Sequence, residues 1–296
     1  MESNTQQSGI KTPTLSERTL AFLQELVKNR NALAGLLIIV PVTVLTIFAP
    51  LVISQDPTAT DPANAFAGPS TNAIMGTDHL GRDLFSRVVL GGRVSLFLGL
   101  SAVVLALSLG IPIGLAAGYK GGRFDEFIMR LMDVVMSFPT LILALMLLVA
   151  LSSSLLNAIL AVGVVYAPRL ARVVRASTMS IKNEEFVKAA QVRGESDWYI
   201  MLREILPNIL GPIAVEGSIR IGYAIIIGTS LSFLGLGAQP PTPDWGYMIA
   251  TSRDYVYSTP WFPLWPSLML GLTVLGFNLL GDGLSDMVDT EVEGDT

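Results

Sequence analysis

The chain has 296 residues, 51% of them hydrophobic and 15% charged, with a mean hydropathy of +0.57 and a formal net charge of −5. That balance lies outside the range of soluble domains of this length and reads as a membrane protein, while the acidic excess offers no footprint for nucleic acid. The absence of cysteine and the presence of one histidine, His79, exclude disulfide frameworks and Cys-His nucleophiles, argue against a Ser-His-Asp triad, and leave no metal site to expect.

In chain order, the first thirty residues are polar and carry Glu2, Glu17 and Glu25, unlike a secretory signal with its basic start and apolar core. Within them TLSE pairs Thr14 with Glu17 as a capping box, and Leu20, Leu23 and Val27 give one apolar side. Residues 1–31 are therefore predicted to hold an amphipathic helix on the membrane surface. Apolar runs long enough to cross about 30 Å of hydrocarbon follow at 32–53, 94–117, 128–151, 155–174, 208–234 and 264–283. None alternates as a barrel strand would. The predicted fold is all-α with six transmembrane helices in the lipid bilayer. Residues 54–93 form an outer loop, 94–283 the core, and 284–296 an acidic tail. With the N-terminus in the cytoplasm, fourteen of the 19 basic residues fall on inner segments; Arg82, Arg87, Arg93 and Arg253 fall outside and Arg220 within a span. This asymmetry predicts that both termini are cytoplasmic.

The turn residues Gly76, Asp78, Gly81, Arg82 and Asp83 precede the second span and read as the cap of an outer helix from about Arg82, with His79 a loop residue. Gly110, Gly114 and Gly118 fall four apart on one helix face, which permits close packing either within the chain or at a subunit interface. Asp125, Glu126, Arg130 and Asp133 read as a mutually paired helix start or as a contact beneath the charged segment at 184–209.

That segment, EEFVKAAQVRGESDWYIMLREILPNI from Glu184 to Ile209, places eight charges between apolar runs. Phe186, Val187, Ala189 and Ala190 recur at helical spacing, and Gly194 sits where a left-handed cap would end the helix. Ser196 can cap a second helix whose Trp198, Tyr199, Met201, Leu202, Ile205 and Leu206 make one apolar face, until Pro207 breaks it and the next span begins. Two short helices joined at a glycine, over the loop 176–207, predict a projecting knob. Its apolar face either enters a partner's groove or packs back on its own chain. Beyond it Glu216 and Arg220 stand i, i+4 inside the fifth span, in the order that suits an ion pair, and either fix packing or line a polar path. The loop from about 235 to 263 carries Trp245, Tyr247, Tyr255, Tyr257, Trp261 and Phe262, which read first as an interfacial belt.

The pair Ala189–Ala190, Gly194 four residues later, and Leu206–Pro207 resemble the cytoplasmic signature loop of ABC importer permeases, with Lys188 where the family has Glu and Glu204 where the general signature has Ile. MGTDHLGRDLFSRVVLGGRVSL (75–96), LSFLGLGAQPPTPDWGYMI (231–249) and FNLLGDGLSDMVD (277–289) are similar to the C-type permease subunit of dipeptide and oligopeptide importers. This resemblance implies a type I importer permease whose knob, through Phe186, Val187, Ala189, Ala190, Gly194, Leu202, Leu206 and Pro207, couples to ATP-hydrolysing subunits. It also implies a B-type permease partner in a heterodimer, two ATP-binding subunits and an extracytoplasmic solute-binding protein docking on the outer loops. The chain has no G-x-x-x-x-G-K-[ST] loop, so ATP would be bound by those partners and no cofactor by this chain. The same architecture could carry an oligosaccharide or a metal chelate. A self-contained channel or ion-driven transporter would call for broken spans and an internal repeat, and of these the sequence offers only Pro139 and Pro168 in apolar runs.

Overall fold

The computed structural model describes residues 25–294, with side chains to residue 287. The surface helix expected around Thr14 and Glu17 falls outside them, apart from one helical turn at 25–28. The described residues are helical between short connections, with one isolated bridge joining Thr77 and Asp83.

Helix α1 (Arg30–Ile47) begins at Asn29, whose Oδ1 accepts from the amides of Asn31 and Ala32 at 2.9 and 3.0 Å. Helix α2 (Leu84–Lys120) has 37 residues, about 55 Å at 1.5 Å per residue, and so outreaches the bilayer. The expected span 94–117 is its middle. The earlier turns carry Arg87 and Arg93, charges that hydropathy assigns to a loop, yet Asp83 starts the helix by accepting from Ser86 N at 2.8 Å and Ser86 Oγ at 2.6 Å.

The expected third span, 128–151, is broken in two. Helices α3 (Gly122–Met136) and α4 (Thr140–Leu151) meet at 86°. Pro139 offers no amide and pushes Phe138 out of helical geometry. The 12 residues of α4 cover roughly 18 Å, too little to cross alone. Asp125 and Asp133 of α3 pair with Arg175 and Arg172, both on α5 (Leu155–Ile181). Glu126 pairs with Arg130 on the surface at 2.5 Å. The acidic group therefore ties α3 to α5.

Helix α6 (Glu185–Val192) leads to three helical pieces laid end to end, Asp197–Tyr199, Ile200–Ile205 in π winding and Leu206–Asn208, together called α7. Next come α8 (Leu210–Phe233), α9 (Trp245–Ser252) and α10 (Trp261–Gly294). Helix α10 runs past residue 283, so the acidic stretch to Gly294 prolongs it. Among the described residues α1, α2, α5, α8 and α10 are each long and apolar enough to cross a membrane; the bent α3–α4 pair makes six if it counts as one span.

The bundle has two ends. One, the cap, holds residues 54–83 and the α8–α10 connection; the other, the knob, holds α6 and α7. Both ends of the described chain lie at the knob end, where Asn29 Nδ2 donates to Asp286 Oδ2 at 3.2 Å.

The core lies among α2, α4, α5 and α8, where Leu98, Leu148, Val162, Leu170 and Leu231 are buried. Within lipid, removal from water does not drive such contacts; close packing of small residues does. Helix α2 lies most extensively on α5, and the glycine face is what allows it. A Cβ at Gly110, Gly114 or Gly118 would sit 2.9 Å from Leu170 Cβ, 2.5 Å from the Ala171 oxygen, and 2.7 Å from Thr178 Cβ, respectively. That face is thus filled within the chain.

Candidate functional site

The knob is built on a Schellman turn. Gly194, at φ +78°, lets its own amide donate to Gln191 O at 3.0 Å and the Glu195 amide donate to Ala190 O at 3.2 Å, closing α6. Ser196 then caps α7, accepting from Tyr199 N at 3.3 Å. Arg193 crosses the turn to Glu204 at 2.9 Å, strapping the two helices together.

The apolar residues divide between two faces, which corrects the expectation of one. Val187 and Ala190, with Ile200, Met201 and Ile205, are buried against Leu115 of α2, Val174 of α5, and Ile209 and Ile213; Leu206 is partly buried beside them. Phe186, Ala189, Val192, Trp198, Tyr199 and Leu202 face outward, Trp198 at 60% and Leu202 at 47% exposure. The physical reason is that neighbouring residues of a helix point roughly a quarter-turn apart, so Ala189 and Ala190, like Met201 and Leu202, cannot share one face. Pro207 is exposed in the last turn of α7, and the break falls two residues later at Ile209, φ −112° and ψ 10°. A further contact holds the knob to the bundle, Gln191 Nε2 donating to the Tyr119 hydroxyl at 3.3 Å, while Lys182 Nζ at the end of α5 donates to Gly118 O of α2 at 3.0 Å.

Glu216 and Arg220 meet on α8 at 2.5 Å, their side chains 17% and 21% exposed, with the guanidinium 5.5 Å from the Tyr223 ring centroid. They are a pair, on a face that this chain leaves part open.

The five turn residues of the cap form one buried device. Asp78 Oδ1 accepts from the amides of Leu80 and Arg82 at 2.8 and 3.0 Å, while its Oδ2 takes Arg82 Nε at 2.7 Å and lies 3.5 Å from Arg87 Nε. Arg87 reaches on to Pro57 O at 2.8 Å. Gly76 and Gly81 have φ of +81° and +74°, and a Cβ on Gly81 would strike the Asp61 carbonyl. The residues Asp78, Arg82 and Asp83 thus serve the cap's own architecture. His79 stacks on Phe262 and Tyr255, ring centroids 5.8 and 6.3 Å apart; burial is the main cause holding its pKa below the ordinary value, against the pull of Asp78.

The aromatics of 235–263 form part of the cap's core. Trp245 is buried and donates its indole N–H to Val88 O at 2.8 Å; Phe262 is also buried, and Tyr257 alone among the six aromatics of this loop is fully outside, at 99%. Asp244, which the sequence reading passed over, caps α9 and accepts from Ser95 Oγ at 2.8 Å. Burial pushes its carboxyl up. An Asp directly before an aromatic and a helical run is the capping signal that could have found it.

The knob, the bundle and the cap have counterparts in other proteins. The family model described as binding-protein-dependent transport system inner membrane component matches residues 110–294. This chain belongs to that family. A second model, the N-terminal TM domain of oligopeptide transport permease C, matches residues 20–69. Among curated relatives of this inner membrane component, the dipeptide transport system permease protein DppC of Alkalihalophilus pseudofirmus is 43% identical over 91% of this chain and 89% of its own length. The di/tripeptide transport system permease protein DppC of Pseudomonas aeruginosa is 38% identical over 92% of each. The glutathione transport system permease protein GsiD of Pectobacterium atrosepticum is 43% identical over 76% of this chain and 75% of its own. Of solved structures, a chain of the MetNI methionine ABC transporter superposes with a TM-score of 0.56 at 17% identity, covering 66% of this chain and 93% of that one. The transport component therefore has the fold of a type I importer permease.

Proposed function

We propose that this chain conducts di- and oligopeptides across the cytoplasmic membrane as the C-type permease of an ATP-binding-cassette importer. The observation that carries the coupling is the two-faced knob. Its inner face is rooted in α2, α5 and α8, and its outer face, Phe186, Ala189, Trp198 and Leu202, is left without cover. A rigidly held apolar patch with charged flanks fits a groove on an ATP-hydrolysing subunit. The names of the relatives support peptide cargo. The excess of Lys and Arg at the knob end supports placing that end, with both termini, in the cytoplasm. The cap then faces the solute-binding protein.

In this reading a B-type permease completes the path as a heterodimer and two ATP-binding subunits supply ATP hydrolysis, so this chain is a transport subunit that carries no hydrolytic step and binds no cofactor. Closure of the ATPases moves the knobs, and the spans rock to expose the path to the other side. The test is reconstitution of the four-subunit complex in proteoliposomes with loaded binding protein. Leu202→Asp is expected to abolish stimulated ATP hydrolysis and peptide uptake while the chain still inserts. Wild-type stimulation and uptake in that variant would overturn the coupling role.

A further inference from the structure

Arg169, counted with the inner segments on charge alone, sits instead near the middle of the spanning helix α5, twelve residues from its knob end, roughly 18 Å along the helix at 1.5 Å per residue. Its two neighbours toward that end, Arg172 and Arg175, each hold a carboxylate of α3. Arg169 holds none among the described residues. Its Nη1 donates to Thr140 Oγ1 at 3.1 Å, and the guanidinium lies 5.7 Å from the Tyr166 ring centroid. A planar cation with five N–H donors and one hydroxyl acceptor is costly at this depth unless something anionic or wet meets it.

The neighbourhood is polar and open on one side. On the adjoining α8, Glu216, Arg220, Tyr223 and Ser230 recur at spacings of four, three and seven and so fall on one side of the helix. Arg220 lies ten residues from the knob end of α8, roughly 15 Å along that helix. Tyr166 stands within electrostatic reach of both arginines. Glu216 is already engaged by Arg220, so the free valence of this cluster is cationic, flanked by hydroxyls. That combination takes a carboxylate and repels an ammonium.

We propose that Arg169, with Thr140 and Tyr166, is a mid-membrane station for the C-terminal carboxylate of the transported peptide, Arg220 adding to the local positive field. The inference rests on the peptide-importer reading above. A free peptide of any sequence carries that one carboxylate, so a station that reads it passes cargo without regard to side chains.

The experiment uses the whole reconstituted importer. Uptake is measured with binding protein saturated by a free-acid tripeptide or by the same tripeptide as its C-terminal amide. Each result is expressed as the acid-to-amide rate ratio, and the binding protein's own preference, common to all variants, cancels between them. Loss of one charge-assisted contact predicts that Arg169→Gln lowers the ratio about tenfold. Arg169→Lys, which keeps the charge but not the fork, should give an intermediate value and decides the matter if the glutamine variant fails to assemble. A ratio unchanged in the assembled variants, with both cargoes slowed equally, would mean that Arg169 answers a carboxylate of the partner permease, and would overturn the station alone. No uptake of either peptide by the wild type would overturn the peptide reading itself.

Discussion

Glu216 and Arg220 close on each other at 2.5 Å, one turn apart, with Tyr223 beneath the guanidinium in the next. Replacing Glu216 by Gln alone leaves a cation in the span without its counterion, at a cost of about 3 kcal/mol. Changing both residues, Glu216→Gln with Arg220→Met, should cost less than the sum of the single changes. Thermal melting of the four-member cycle in detergent measures it, and additive losses would show that the pair does not interact.

The two faces of the knob predict two different failures. Ala190 is buried against α2 and α5 while Ala189, its neighbour, is exposed. Ala190→Asp should therefore detach the knob from its own bundle and lower the melting temperature of the isolated chain. Ala189→Asp should leave melting unchanged and weaken co-purification with the ATPase subunits. Equal behaviour of the two variants would contradict the division.

Gly194 has open space around a prospective Cβ and a φ of +78°, so Gly194→Val acts through the backbone alone. The strain is about 1–2 kcal/mol, enough to re-aim α6 against α7 without disturbing the spans. Membrane insertion should survive, and ATP hydrolysis stimulated by loaded binding protein should fall.

Ser180 and Thr242 are exposed at the knob and cap ends, and the native chain has no cysteine. In intact cells an impermeant thiol reagent should label Thr242→Cys and spare Ser180→Cys. The reverse pattern would invert the proposed orientation.

His79 is held neutral, chiefly by burial, with its pKa below the ordinary 6.5. As pH falls below about 6.5 the unfolded cap takes up the proton first. The contribution of His79 is thus complete above that value and fades as the pH drops toward the folded one. Proteolysis of the cap should accelerate as the pH falls below about 6.5, and His79→Phe, which keeps the stacking on Phe262 and Tyr255, should flatten that slope.

Five spans, or six with the bent α3–α4 pair taken as one, were legible because twenty-residue apolar runs have few other uses, but their limits were not. A helix from about Arg82 was readable, but not that it runs unbroken into the span: Arg87 and Arg93 are charged, yet Asp78 waits to receive Arg87 from nine residues away, a relation no window of hydropathy contains. The 86° bend at Pro139 hid inside an apolar run, since hydropathy is blind to a missing amide. In the knob, the turn at Gly194 and the cap at Ser196 were readable from local chemistry. The outward set was not, because Met201 and Leu202 are both apolar and only the packing against Leu115 and Val174 shows which of them is covered. Arg169 escaped notice for a related reason: among three arginines spaced by three, only the positions of Asp125 and Asp133 show which one is left over.

Helix α2 begins under Asp83 in the cap and ends beside the knob, where Tyr119 receives Gln191. A single rod of about 55 Å thus touches both faces of the membrane. Whatever favours one tilt of that rod at its Asp83 end favours the same tilt at its Tyr119 end, and thermodynamic linkage makes the preference mutual. A binding protein that tightens the hold of an ATPase through this rod must itself be held more tightly when the ATPase is bound, by the same factor.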